Sequence, residues 1–136
     1  MIKLICGPKG TGKTKTILKY VDDCVGVAKG DIVYITDKKM DSTRINFNVR
    51  VLYADDFGID SAEKFLGFIN GLMAGNSDIE YIYVDGLSRI VGADSDLNAF
   101  FKNLIKRESE YGFKAFITIS KEVESLPEFV RQYADQ

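Results

Sequence analysis

The feature that most constrains this chain is a glycine-rich octapeptide near its beginning. Residues 7–14 read Gly-Pro-Lys-Gly-Thr-Gly-Lys-Thr, which satisfies every fixed position of the G-x-x-x-x-G-K-S/T phosphate-binding loop. The apolar run at residues 1–6 predicts a buried strand, and residues 15–21 predict a helix. In this order the backbone N–H groups of the loop converge on one point, and the helix N-terminus adds a partial positive charge. The sequence therefore predicts a site for the phosphate groups of a nucleotide.

Three side chains are predicted to carry the chemistry of this site. Lys13 is expected to reach the β- and γ-phosphates, and the Thr14 hydroxyl is expected to ligate Mg²⁺. Asp85 follows four apolar or aromatic residues at 81–84, which is the Walker B pattern, and its carboxylate would hold the metal opposite Thr14. An acidic residue at a strand end often caps a turn or helix instead, and that alternative stays open. The nucleotide contacts expected from the loop and the residue after it come from Gly7, Pro8, Lys9, Gly10, Thr11, Gly12, Lys13, Thr14 and Lys15.

Strands and helices alternate along the rest of the chain. The predicted strands are 1–6, 31–36, 48–53, 81–85 and 115–119. The predicted helices are 13–25, about 62–73, about 96–111 and a last one that starts at 125–128. Asp60 with Glu63, and Ser125 with Glu128, are expected to cap two of these helices, and residues 37–46 are expected to form a polar loop. The alternation predicts one α/β domain over residues 1–136, a three-layer α/β/α sandwich around a mainly parallel five-stranded sheet.

Parallel sheets bind their ligands outside the carboxyl ends of the strands. The phosphate-binding loop is expected to share that rim with Asp85 and with the polar residues that end two other strands. Those residues are Thr36 and Asp37 after the second strand, and Thr118 and Ser120 at the last one. The fold prediction therefore gathers the candidate site residues at one place.

Charge and cysteine content exclude several classes of function. The net charge is −2, and no run of five or six like charges suggests a nucleic-acid tail or a membrane patch. The chain has no histidine and two cysteines, Cys6 and Cys24, so a zinc site lacks ligands. Both cysteines are expected to be reduced core residues of a cytoplasmic protein. No apolar run approaches the length of a membrane span.

The motif segments resemble two groups of ATPases. The loop at residues 7–14 resembles that of AAA+ ATPases. Residues 83–90, Tyr-Val-Asp-Gly-Leu-Ser-Arg-Ile, resemble the Walker B segment of RecA-like ATPases, where the aspartate precedes small residues and a hydrophobic one. The order of elements is similar over most of the chain. The resemblance implies ATP and Mg²⁺ as cofactors, a γ-phosphate sensor at Thr118 or Ser120, and the strand order 49–53, 31–36, 81–85, 115–119, 2–6.

The chain departs from both groups at the position of the catalytic base. AAA+ proteins place glutamate after the Walker B aspartate, where this chain has Gly86. RecA-like recombinases place a glutamate just after the second strand, where Asp37 is the candidate to replace it. The resemblance therefore implies Lys13, Asp85 and Asp37 as catalytic residues with an incomplete base. Four arginines are candidates for an arginine finger, and the sequence favours none of Arg44, Arg89, Arg107 and Arg131.

Three functions are compatible with these observations. The first is a slow or partner-activated Mg-dependent ATPase or switch, completed by a second copy of the chain or by a protein partner. The second is a small-molecule or nucleotide kinase, and the third is a non-catalytic interaction module that holds the nucleotide as a structural ligand. The sequence leaves open the preference for ATP or GTP.

Overall fold

A parallel β-sheet forms the centre of the fold. The computed structural model describes residues 1–37, 39 and 44–134. Within these residues the sheet has five strands, which are β1 (Ile2–Cys6), β2 (Asp31–Thr36), β3 (Val49–Tyr53), β4 (Ile79–Asp85) and β5 (Lys114–Ile119). Their spatial order is β1-β5-β4-β2-β3, and every pairing is parallel. The α/β class, the five-stranded parallel sheet and the expected strand order are confirmed.

Helices cover both faces of the sheet. The α-helices of the described residues are α1 (Lys13–Val25), α2 (Ala62–Gly75), α3 (Leu87–Val91), α4 (Leu97–Tyr111) and α5 (Glu128–Arg131), with short 3₁₀ turns at Ala54–Phe57 and Val123–Ser125. One buried cluster joins α1 to one face of the sheet, and a second joins α2, α3, α4 and α5 to the other. This arrangement is the predicted α/β/α sandwich.

Successive side chains along the strands belong alternately to the two buried clusters. On β5, Ile117 and Ile119 belong to the cluster under α2 and α4, whereas Phe116 between them belongs to the cluster under α1. On β2, Tyr34 likewise lies on the α1 side and Ile35 on the opposite side. Successive strand side chains point to opposite faces, so strands that are buried on both faces read as continuous apolar runs.

The two edges of the sheet differ in what covers them. β3 forms one edge, as its alternating sequence and charged Arg50 indicated. At the other edge, the backbone N–H of Leu4 on β1 donates to the carbonyl oxygen of Tyr133 at 2.7 Å, so the C-terminal segment covers that strand. Residues 38 and 40–43 of the predicted 37–46 loop lie outside the described residues.

Both predicted capping pairs are wrong in detail. The N-cap of α2 is Ser61, whose hydroxyl oxygen accepts from the Lys64 backbone N–H at 3.2 Å, while the Asp60 carboxylate pairs with the Lys64 ammonium at 2.8 Å. Ser125 does not cap α5, since the N-cap residue is Pro127 and that helix has no side-chain cap; the Ser125 hydroxyl instead donates to the Glu122 carbonyl oxygen at 2.8 Å. At α2 two adjacent polar residues were possible caps, and the helix geometry selects Ser61.

No helix in the described ranges is long and apolar enough to cross a membrane.

We predict that Gly30 is required for the turn between α1 and β2. The N–H of Asp31 donates to the Asp78 carbonyl oxygen at 2.8 Å, and a Cβ on Gly30 would overlap that same oxygen. Gly30→Ala should therefore lower the free energy of unfolding by about 1–3 kcal/mol, as other overpacked sites do. Urea denaturation measures the loss.

The matched control is Gly26→Ala. Gly26 has right-handed helical dihedrals, and nothing lies within 4 Å of a Cβ placed there. This substitution should leave stability unchanged or raise it by about 0.4–1 kcal/mol. Equal effects of the two substitutions would contradict the close approach at Gly30.

Candidate functional site

The glycine-rich loop joins β1 to α1 at the carboxyl edge of the sheet. Gly12 has φ 80°, in the left-handed region that favours glycine, and its carbonyl oxygen accepts the backbone N–H of Thr16 at 3.0 Å to begin α1. The Thr11 hydroxyl and the Lys13 ammonium both donate to the Pro8 carbonyl oxygen at 2.7 Å. These two bonds draw the loop into a tight curve, with its N–H groups and the Lys13 side chain at the helix N-terminus.

The Asp85 carboxylate is the polar centre of the rim. It ends β4 and is 4% exposed. Thr14 at the start of α1 donates its hydroxyl to Oδ2 at 3.0 Å, Tyr34 on β2 donates to the same oxygen at 2.8 Å, and Thr118 on β5 donates to Oδ1 at 2.9 Å. A buried carboxylate is costly unless it is hydrogen-bonded, and these donors satisfy it. The sequence predicted Thr14 and Asp85 on opposite sides of a metal ion, and the structure places the two side chains in direct hydrogen-bonding contact.

Asp85 does not act as a helix cap. The N-cap residue of α3 is Gly86, and no side chain caps that helix. The backbone N–H of Gly86 donates to the Thr118 hydroxyl at 2.7 Å and not to the carboxylate. Asp85 therefore does not have the helix-capping role that the sequence left open.

A cavity of about 280 Å³ opens beside this carboxylate. The predicted site residues that line it are Lys9, Gly10, Gly12, Lys13, Thr14, Asp85, Thr118 and Ser120. Arg89 on α3 also lines it. Three cationic side chains and one carboxylate give the walls a positive balance, which suits an anionic ligand.

Four of the residues predicted at 7–15 lie outside the walls of this cavity. Gly7, Pro8 and Thr11 shape the loop, and Thr11 would contact any Cβ placed on Gly7. The Lys15 side chain lines a separate cavity of about 740 Å³ along α1. The structure thus separates residues that form the loop backbone from those whose side chains face the cavity.

Asp37 lines an adjoining cavity of about 320 Å³, whose walls also include Thr14, Asp85 and Arg89. Its carboxylate pairs with the Arg89 guanidinium, with Nε and Oδ2 3.2 Å apart. Burial raises the pKa of Asp37, but the charge and hydrogen bond of Arg89 outweigh it and hold that pKa below its ordinary value. Asp37 is therefore ionised at neutral pH and paired with a cation.

Neighbouring charges also shift the basicity of Lys13. Burial lowers its pKa, the Asp85 charge raises it and Arg89 lowers it again, so that the pKa lies below its usual range. Burial raises the pKa of the nearby Cys6 thiol to about 11, although the charge of Lys13 acts in the opposite direction. The thiol is protonated at neutral pH and unsuited to nucleophilic attack, since the thiolate is the reactive form.

The donor atoms at the rim fit a magnesium ion better than a softer metal. Thr14 and Asp85 offer oxygen atoms, which Mg²⁺ prefers. Within the described residues, no group of three or more His, Cys, Asp or Glu side chains converges to hold a metal. A Mg²⁺ ion at this rim would take its remaining ligands from phosphate oxygens and water, as it commonly does.

Sequence reasoning missed Tyr34 and left Arg89 without a role. Tyr34 is hidden in an apolar strand, but it stands two residues before Thr36, so both side chains lie on the same face. The Thr36 hydroxyl lies 3.1 Å from the backbone carbonyl oxygen of Asp85. A pair of polar residues at alternate positions of a buried strand is therefore the sequence signal that could have identified Tyr34 as a residue near the site. The position of Arg89 depends on α3, which periodicity did not predict.

No protein-family model matches this chain, and no curated protein matches it.

We predict that the Tyr34 hydroxyl contributes more to stability than a comparable buried tyrosine hydroxyl. Tyr34 and Tyr83 are both fully buried on the α1 side of the sheet, but Tyr34 donates to a carboxylate and Tyr83 to the Tyr20 carbonyl oxygen at 3.2 Å. Tyr34→Phe should cost about 1.5–3 kcal/mol, and Tyr83→Phe about 0.5–1.5 kcal/mol. Urea unfolding of the two variants provides the comparison. Equal losses would show that Asp85 does not depend on this donor.

Proposed function

We propose that this chain binds Mg²⁺–ATP through residues 7–14 and acts as a slow or partner-activated Mg-dependent ATPase or switch with a RecA-like P-loop core. The observation that carries the proposal is the 3.0 Å hydrogen bond between Thr14 and Asp85, with Lys13 in the same cavity. These are the side chains that two distant motifs assign to one metal-nucleotide site.

The strand order supports the proposal. β5 lies between β1, which feeds the loop, and β4, which ends in Asp85. This is the order that the resemblance to RecA-like ATPases implies. The loop and the carboxylate therefore meet across one intervening strand, at the rim where parallel sheets bind ligands.

The size of the cavity favours the phosphate chain as its occupant. Its volume of about 280 Å³ lies just below the range of pockets that bury whole drug-sized molecules, about 300–1,000 Å³. The phosphate groups would occupy it, and the nucleoside would lie outside its walls. This geometry leaves the choice between ATP and GTP to residues beyond the phosphate cavity.

Each rim residue has a distinct task in the proposed complex. The loop N–H groups and Lys13, released from the Pro8 carbonyl, would bind phosphate oxygens. Thr14 and Asp85 would hold Mg²⁺, which neutralises charge on the β- and γ-phosphates. Ser120 lines the same cavity and would contact the terminal phosphate.

Slow hydrolysis is expected because the site lacks a complete catalytic base. Gly86 offers no side chain to orient a water molecule, and Asp37, the candidate to replace the base, has a shorter side chain than the glutamate of RecA-like recombinases. Phosphoryl transfer depends on positioning and charge neutralisation, and a group from another surface can add several orders of magnitude. The isolated chain should therefore bind nucleotide better than it turns nucleotide over.

We predict that Lys13→Ala weakens binding of Mg²⁺–ATP by about ten-fold or more, because a charge-assisted phosphate contact is worth about 1.5–3 kcal/mol. Calorimetric titration measures the change. Lys106→Ala on α4 is the matched control, since this exposed lysine lies in another part of the fold and should leave the affinity unchanged. An unchanged affinity in Lys13→Ala would contradict the proposal.

We predict that Asp85→Asn lowers the affinity for Mg²⁺–ATP more than the affinity for metal-free ATP. Asparagine matches the shape of aspartate but lacks the charge that a hard cation prefers. Titrations with Mg²⁺ and with EDTA separate the two affinities, and circular dichroism checks that the variant folds. A loss of the same size under both conditions would assign Asp85 a role apart from the metal.

We predict that hydrolysis is slow in the dilute chain and rises with protein concentration or with a partner. The rate of phosphate release per molecule, measured from nanomolar to micromolar protein, tests this. A rate of about 1 s⁻¹ or more that stays flat to nanomolar protein would show a complete site in one chain. Single-turnover assays with added phosphate acceptors identify a kinase, because phosphate would then appear on the acceptor and not in solution.

A further inference from the structure

Arg89, which the sequence did not favour over the other arginines, lines the proposed phosphate cavity. It belongs to α3, which begins directly after Gly86 at the carboxyl end of β4. A Cβ on Gly86 would overlap the Arg89 guanidinium, so the glycine leaves room for that group over the end of the strand. The guanidinium therefore occupies the space beside Asp85 where a larger residue at 86 would project.

The same guanidinium lies between two cavities. It lines the phosphate cavity together with Lys13 and Ser120, and it lines the adjoining cavity together with Asp37. Among the described residues its side-chain ion pair is with Asp37, with Nε and Oδ2 3.2 Å apart, and its NH2 group is 3.5 Å from the Asp85 carbonyl oxygen. A single cation can thus reach either the carboxylate on one side or an anion on the other.

The ion pair is suited to exchange. The Arg89 side chain is 44% exposed, and ion pairs this accessible to solvent are weak. A terminal phosphate offers more negative charge than one carboxylate, and a guanidinium binds it through two parallel hydrogen bonds. A phosphate in the cavity would therefore compete effectively with Asp37 for Arg89.

The other candidate arginines do not share this position. Arg107 pairs with Glu110 on α4 at 2.6 Å, and Arg131 donates from Nε to the Leu126 carbonyl oxygen at 2.9 Å. Arg44 lines the adjoining cavity but is not part of the wall of the phosphate cavity.

We propose that Arg89 is an internal sensor of the terminal phosphate, exchanging its ion pair with Asp37 for a contact with the γ-phosphate. This inference rests on the proposed function and gives Arg89 a direct part in the discrimination between nucleoside triphosphate and diphosphate. The exchange also frees the Asp37 carboxylate, the candidate base, only when a triphosphate is bound. Binding of the triphosphate and exposure of the base are thereby coupled.

The test compares the affinities of the full chain for a non-hydrolysable Mg²⁺–ATP analogue and for Mg²⁺–ADP by calorimetry. Arg89→Ala should weaken the triphosphate analogue by about ten-fold, the value of one charge-assisted contact, and change ADP by less than about two-fold. Arg89→Lys, which keeps the charge without the fork, should give an intermediate loss. Arg107→Ala is the matched control and should change neither affinity.

A double-mutant cycle isolates the exchange from simple repulsion by Asp37. Asp37→Asn should tighten the triphosphate analogue in the wild-type background, because Arg89 no longer has a competing partner. In the Arg89→Ala background the same substitution should have little effect. Equal tightening in both backgrounds would mean that Asp37 acts on phosphate directly, and it would overturn the exchange.

The outcomes separate this inference from the proposed function. If Arg89→Ala weakens the analogue and ADP equally, or neither, while Lys13→Ala still weakens both, the sensor role is wrong and the nucleotide site stands. If the wild-type chain binds neither nucleotide, both proposals fall. Thermal melting confirms that each variant is folded, and Arg89→Gln replaces Arg89→Ala if the alanine variant is not.

Discussion

The site depends on the burial of one carboxylate. Asp85 is 4% exposed, and burial of a charge is unfavourable unless hydrogen bonds compensate. Its donors come from Thr14, Tyr34 and Thr118, which belong to three different elements of the fold. Satisfying this carboxylate therefore fixes the start of α1 and the ends of β2 and β5 relative to β4. The glycine-rich loop is positioned by the same contacts, because Thr14 is its last residue.

The strand register explains why these donors reach one point. Thr36 on β2 is paired with Asp85 itself, and Thr118 on β5 is paired with Ile5 on β1. Thr118 thus bridges the strand that feeds the loop and the strand that ends in the carboxylate. Parallel pairing brings the carboxyl ends of all these strands to one edge. A register shift of one residue would turn these side chains to the opposite face.

Local sequence patterns predict much of this fold. The features that they do not predict depend on contacts that form only in the folded structure. The bounds of α1, residues 13–25, follow from the glycine loop before it and Gly26 after it, so the sequence predicts them correctly. The cap of α2 was wrong because Asp60 and Ser61 are adjacent candidates, and only the helix geometry selects Ser61. Tyr34 was missed because its role exists only once β2 lies beside β4.

The residue after Asp85 explains why we propose that the chain binds nucleotide better than it hydrolyses it. Gly86 lacks the acidic side chain that would orient water, and its φ of 91° together with the missing Cβ leaves room for the Arg89 guanidinium. At the position where the AAA+ pattern has a glutamate, this chain thus has a glycine that offers no base and leaves room for a cation. A cation stabilises the charge of a bound triphosphate, whereas attack by water also requires an oriented nucleophile. In the complex that we propose, a rim built in this way would favour holding the triphosphate over cleaving it, as in a switch and not a fast hydrolase.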